Sequence, residues 1–165
     1  MHDEAAFTAT NSVILGQSGQ PPPAPILVGL VEAAGGAPDV VAAVVTWGEN
    51  HTVWDVYACR GGVLANVRGR KEMNDWYGSR GDRDPSPEQV TVSVHRLADV
   101  LAINAQDLTS RAPFQGFART CAAKWSIKFA DVTVELDEGS VSGGQVAAVA
   151  QHIRDRFVDA EPRVN

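Results

Sequence analysis

The sequence predicts an α+β fold: a strongly bent antiparallel sheet or partly open barrel, a roll of about six to seven strands, closed by a C-terminal amphipathic helix. Three observations carry that expectation. Short apolar runs, several alternating with period two, recur from Val40 to Leu136 and are separated by glycine, proline and aspartate. Two pairs of these runs are joined by tight turns, one at Gly61-Gly62 and one at Ala130-Asp131. After them Val146, Val149, Ala150, Ile153 and Phe157 recur at helical spacing.

Taken in chain order, residues 1–25 carry no sustained periodicity and end in Gln20-Pro-Pro-Pro-Ala-Pro25. Prolines lack backbone donors and fix φ, so this stretch reads as a flexible tail or extended linker. The folded domain is expected over 26–160, with a short tail at 161–165. Ile26 to Ala34 places Leu27, Leu30, Val31 and Ala34 on one helical face before Gly35-Gly36, although its length also suits a strand. Val40 to Trp47 is apolar and rich in β-branched residues, a buried strand. Thr52–Cys59 and Val63–Arg68 flank Arg60-Gly61-Gly62, where glycine supplies the positive φ of a hairpin turn. In the first of these strands Trp54, Val56 and Ala58 alternate with Asp55 and Tyr57, which suits one buried face.

From Gly69 to Gln89 the chain turns polar, with Gly81, Pro85 and Pro87 near the end, and reads as a long loop of the kind that is often functional. Val90, Val92 and Val94 resume strand alternation. His95 to Gln106 fits either a helical turn or a strand, a turn at Ala98-Asp99 and a further strand; the second reading is preferred. Phe117 to Phe129 is mostly strand, with a break near Arg119.

The closing hairpin carries most information. A two-residue turn at Ala130-Asp131 sets Phe129 opposite Val132, Ile127 opposite Val134 and Trp125 opposite Leu136, all six on the core face. Lys124, Ser126 and Lys128 then face water across from Thr133, Glu135 and Asp137. Ser142-Gly-Gly-Gln145 matches a capping box and opens the final helix, whose Val149, Ile153 and Phe157 should meet Trp125, Ile127 and Phe129.

With 165 residues the chain is long enough for one domain with a real core and too short for two comfortable ones. Its 44% hydrophobic and 21% charged residues place it outside the disordered class. A net charge of −6 argues against nucleic acid and anionic lipid as partners. Cys59 and Cys121 read as small buried hydrophobes in a reducing compartment. The acidic start Met1-His-Asp-Glu is unlike a signal peptide, and no stretch approaches the ~20 apolar residues of a membrane span. A cytoplasmic setting is expected.

Chemical signatures are sparse. His2, His51, His95 and His152 lack zinc-ligand spacing, and no nucleophile elbow, Walker loop or dinucleotide fingerprint occurs. Asp131, Glu135, Asp137 and Glu138 read as solvated strand charges, and Arg80-Gly-Asp82 as a chance tripeptide. No catalytic residue, cofactor or metal is assigned. The candidate site is instead a basic aromatic loop, since six of the 14 basic residues fall between Arg60 and Arg83. Arg68, Arg70, Lys71, Trp76, Tyr77, Arg80 and Arg83 bring cations beside two aromatics, the mixture enriched at interface hot spots. The competing expectation is that Trp76 folds back over the sheet while the charges solvate the loop.

The stretch Lys124-Trp-Ser-Ile-Lys-Phe-Ala-Asp-Val-Thr-Val-Glu-Leu136 resembles the late hairpin of bacterial pleckstrin-homology-like domains. Asp55-Val-Tyr-Ala, continuing to Val63-Leu-Ala-Asn-Val67, is similar to their early one. The resemblance, one of element order from about Val40 to Phe157, implies seven strands plugged by a helix and a binding role rather than catalysis. The leading expectation is therefore a non-enzymatic interaction module whose basic aromatic loop binds a protein partner. A small-molecule enzyme or sensor with a pocket lined by Trp47, Trp54 and Trp125 is the alternative. Lipid head-group binding at a membrane surface comes third.

Overall fold

The computed structural model describes residues 3–111, 120–137 and 144–160. Along them run α1 (Glu4–Ser18), α2 (Ala24–Ala34), β1 (Val40–Trp47), β2 (Thr52–Arg60), β3 (Val63–Lys71), β4 (Glu88–Arg96), β5 (Ala102–Arg111), β6 (Thr120–Lys128), β7 (Thr133–Asp137) and α3 (Gln145–Ala160). Short 3-10 helices sit at Gly78–Arg83 and Leu97–Asp99.

Turn chemistry sets the topology. Gly61 takes φ +55°, so β2 reverses through Gly61-Gly62 and pairs Arg60 with Val63 through to Thr52 with Lys71. Antiparallel pairing builds two meanders, β1-β2-β3-β4 and β5-β6-β7, joined through the 3-10 turn at Leu97–Asp99. Among the described residues they do not close into one barrel, so the expected bent roll takes the form of two sheets. The last hairpin adopts the expected register: Trp125 pairs Leu136, Ile127 pairs Val134, and the Phe129 N–H donates to the Val132 carbonyl at 2.8 Å. Lys124 lies 3.6 Å from Asp137 across it. Two residues depart from the expected pattern: Ser126 is buried, and Val132, in the turn itself, is exposed rather than on the core face. The break foreseen near Arg119 and the capping-box serine, Ser142, lie outside the described residues.

Two cores form, one on each face of the four-stranded sheet. On the inner face Ala42, Tyr57, Cys59 and Leu64 meet Ile127, Phe129, Val134 and Leu136 of the second sheet and Val149, Ala150 and Ile153 of α3, with Trp125 and Phe157 at the margin. That is the meeting of hairpin and helix foreseen from the sequence. On the outer face Trp54, Val56, Ala58, Ala65 and Val67 pack against Ile14 of α1, Ile26, Leu30 and Ala34 of α2, and Trp76. β2 is consequently buried on both sides, where alternation with Asp55 and Tyr57 suggested one.

The N-terminal segment departs most from expectation. Glu4–Ser18 is a helix rather than a flexible tail, begun by the Asp3 carboxylate accepting from the Ala6 N–H and ended by Gly19 at φ +73°. It docks through Ala6, Thr10 and Ile14, one weakly apolar row of spacing four. Gln17 completes the docking: its amide nitrogen donates to the Val41 carbonyl at 2.8 Å and its oxygen accepts from the Ala43 N–H at 2.9 Å. One side chain thereby stands in for a neighbouring strand on the outer edge of β1. The loop expected over 69–89 is shorter than foreseen, because β3 runs on to Lys71 and β4 already starts at Glu88.

Candidate functional site

Strand alternation divides the basic aromatic loop between two faces. In β3, Arg68 and Arg70 project from the inner face beside Asp55 and Val53, whereas Lys71 points to the outer face. Arg68 and Arg70 are exposed, Arg68 at 3.8 Å from Asp55 and Arg70 at 2.9 Å from Glu72. Lys71 is buried, which corrects its expected role. Its ammonium donates to the Asp84 carbonyl and to Glu88, each at 3.0 Å, and so staples the loop onto β4.

Trp76 is likewise not a surface residue. It is fully buried, its ring wedged against Gly69 and Gly81, and a Cβ built at Gly81 would lie 2.1 Å from the indole. The Trp54 indole N–H donates to the Trp76 carbonyl at 2.8 Å. Thr52 Oγ1 donates to the Met73 carbonyl at 2.8 Å and accepts from the Trp76 N–H at 3.4 Å. These bonds pin the loop, and the competing expectation, that Trp76 folds back over the sheet, is the one realised.

What remains at the surface is a compact rim. Tyr77 is half-buried, and Arg80 lies across it with Nη1 donating to the phenol oxygen at 2.9 Å and the guanidinium carbon 5.7 Å from the ring centre. Asp75 faces Arg80 at 3.7 Å, and Arg83 is exposed in the same 3-10 helix. Trp47 joins this group from the end of β1, 44% exposed, with its ring edge-on to both Trp54 and Tyr77 at 6.3 Å. This differs from the pocket wall in which the alternative expectation places Trp47. The available signal was its place as the last apolar residue before Gly48-Glu-Asn50, since a strand end projects at a rim.

The tryptophan-lined pocket of the alternative reading is not assembled. Trp54 is fully buried in the outer core and Trp125 borders the inner one, on opposite sides of the four-stranded sheet. On the inner face, burial raises the Asp55 carboxyl above its usual range, with Arg68 opposing the shift and Asp137 adding to it. Burial also raises the Tyr57 phenol and pushes the Cys59 thiol up to about 12. In each the dominant cause is loss of solvent, which describes core packing rather than an activated nucleophile. Elsewhere His95 stacks on Phe129 at 4.6 Å, beside an open groove of about 660 Å³ bordered by Val94, Arg96 and Leu101. Among the described residues no group of three or more histidine, cysteine or carboxylate side chains is placed to hold a metal.

No helix of the described residues is long and apolar enough to cross a membrane. No family model matches this chain, and no curated protein or solved structure matches it.

Proposed function

We propose that this chain is a non-enzymatic interaction module of pleckstrin-homology-like architecture, working in the cytoplasm and engaging a protein partner through the rim of Trp47, Tyr77 and Arg80. The observation that carries the reading is Trp47, half-exposed yet braced edge-on by Trp54 and Tyr77. A large aromatic already held in place loses little conformational freedom on binding, and a neighbouring arginine adds planar, directional contact. A four-stranded meander, a three-stranded meander and a C-terminal helix between them, in that order, support the architectural part. A protein is favoured over a membrane surface because the cations that would meet lipid head groups are split across two faces, with Lys71 buried.

The test is photo-crosslinking from position 75, beside Arg80, with position 132 on the remote β6-β7 turn as control. A discrete protein adduct is expected from the first position only. Trp47→Ala combined with Arg80→Glu should abolish it while leaving the chain folded, with a loss of about 2–4 kcal/mol from the buried half of the indole and its two ring contacts, checked by circular dichroism. An adduct that persists in the double variant sinks the reading.

A further inference from the structure

The four-stranded sheet treats its two edges differently. On β1 the outer edge is closed by the Gln17 carboxamide. On the far side β4, nine residues long, pairs with β3 and packs against α2, and no strand among the described residues pairs with its outer edge. β4 also lacks the usual protections of an edge: Glu88–Arg96 contains no proline and no lysine, and its register with β3 runs without a bulge. Val92 and Val94 are 44% and 51% exposed.

We propose that β4 is a homodimerisation edge, at which two copies of this chain pair their β4 strands antiparallel about a twofold axis at Val92 and join two four-stranded sheets into one. The occupant is set by self-complementarity. With Val92 opposite its own copy, Val90 faces Val94, Thr91 faces Ser93, and Glu88 faces Arg96, each relation occurring twice. Glu88, Val90, Val92, Val94 and Arg96 share one face of the strand, so the valines form a continuous stripe closed at each end by an opposite-charge pair. Thr91 and Ser93 meet on the other face, hydroxyl to hydroxyl. A one-residue slip sets the valines against the wrong face. A two-residue slip puts Glu88 opposite Val94 and carries Arg96 beyond the partner strand.

The charges are available for this. Arg96 is exposed and already holds Asp99 through two nitrogens, at 3.0 and 3.2 Å, with donors to spare on its five-donor fork. Glu88 accepts from Lys71 through one oxygen, and a carboxylate has further acceptor sites. α2 adds to the apolar flank: Gly29 abuts Val92, and the preceding Val28 is 43% exposed. Nine residues at the rise of a strand span about 30 Å, a contact smaller than most permanent interfaces, so the dimer is concentration-dependent.

Sedimentation of the full chain from low micromolar to near-millimolar concentration tests this, with circular dichroism and the thermal midpoint checking each variant's fold. The expected result is a monomer on dilution and a species of twice the 17.5 kDa chain mass at high concentration. Val94→Lys, at an exposed position, should weaken the dimer at least about tenfold, by setting a lysine opposite Val90 at two places. Val90→Glu combined with Val94→Lys should restore it, since residue 90 faces residue 94 in this register alone. Val92→Cys should give a disulfide-linked dimer on mild oxidation, and Val132→Cys should not. A wild-type monomer over the whole range overturns the proposal, including the case in which the edge takes a foreign strand instead. So does a dimer indifferent to Val94→Lys, or one that Val92→Cys fails to link.

Discussion

Trp76 is where the surface and buried readings of the loop diverge most, and Trp76→Ala separates them by stability. If the indole met only a partner, its removal would leave unfolding unchanged. The structure gives a different magnitude. The side chain is fully buried, and a buried aromatic removes about 150–250 Å² from water, worth about 4–6 kcal/mol at 25 cal/mol per Å². Against that stands the indole N–H, which has no hydrogen-bond partner among the described residues, a desolvation cost of about 1–3 kcal/mol that the alanine variant no longer carries. The net loss is about 1–5 kcal/mol, since the Trp54 bond goes to the Trp76 backbone carbonyl and survives the substitution. For a chain of this size each kcal/mol moves the midpoint by about 2–4 °C, so a fall of about 2–20 °C is expected. Urea unfolding followed by far-ultraviolet circular dichroism measures it, since the Trp76 signal itself is lost. A change below about 1 kcal/mol, with an unaltered denaturant slope, would show that Trp76 is not a core residue and refute the account of the loop.

Other consequences are equally checkable. Gly81→Ala should destabilise by about 1–3 kcal/mol because its Cβ meets the Trp76 ring, whereas Gly16→Ala, with open space inside α1, should stabilise by about 0.5–1 kcal/mol; equal effects in thermal melts would contradict the packing. Asp55 binds its proton more tightly folded than unfolded, so its contribution to stability is present at low pH and lost as pH rises from the unfolded value through the raised folded one. Asp55→Asn should therefore raise the midpoint at pH 7, by no more than about 1 kcal/mol, and give no gain at pH 3, where the carboxyl is protonated in both states; a gain at both would point to another cause. Cys59, buried and with its thiol pushed up to about 12, should resist iodoacetamide at pH 8 until urea unfolds the chain; peptide mass spectrometry reads it directly.

What could be read in advance followed from local rules. The Lys128–Thr133 turn fixed a register in which Trp125, Ile127, Phe129, Val134 and Leu136 found the core face, and a slip of one residue would have exposed them. Gly61 and Gly35 marked a hairpin turn and a helix end because each takes a positive φ. What could not be read depended on distant contacts. Glu4–Ser18 presents only Ala6, Thr10 and Ile14 to the core, too weak a stripe to register as amphipathic, and its anchoring by Gln17 spans more than twenty residues. The candidate patch came apart in two of its residues, Lys71 and Trp76, for a related reason. Closeness in sequence suggested one patch from Arg68 to Arg83, but β3 extends to Lys71, and the period of two sends neighbouring cations to opposite faces.

The N-terminal helices narrow the surface that the four-stranded sheet can offer. Without α1 and α2 the outer face of β2 and β3 would be open, and Trp54 and Trp76 would be natural contact residues. With them in place that face is a second core, and the inner face is occupied by α3 and the second sheet. With β2 largely covered on both sides, what this sheet has left to offer is its strand ends and the exposed β4 margin. Trp47 is the large aromatic at such an end, and β4 is the edge with which no strand among the described residues pairs, whereas Gln17 closes β1. The rim and the edge are thus what remains after two cores have been satisfied on one sheet. Their separate residues let each be altered without the other: Trp47 and Arg80 at one end, Val94 and Arg96 along the edge.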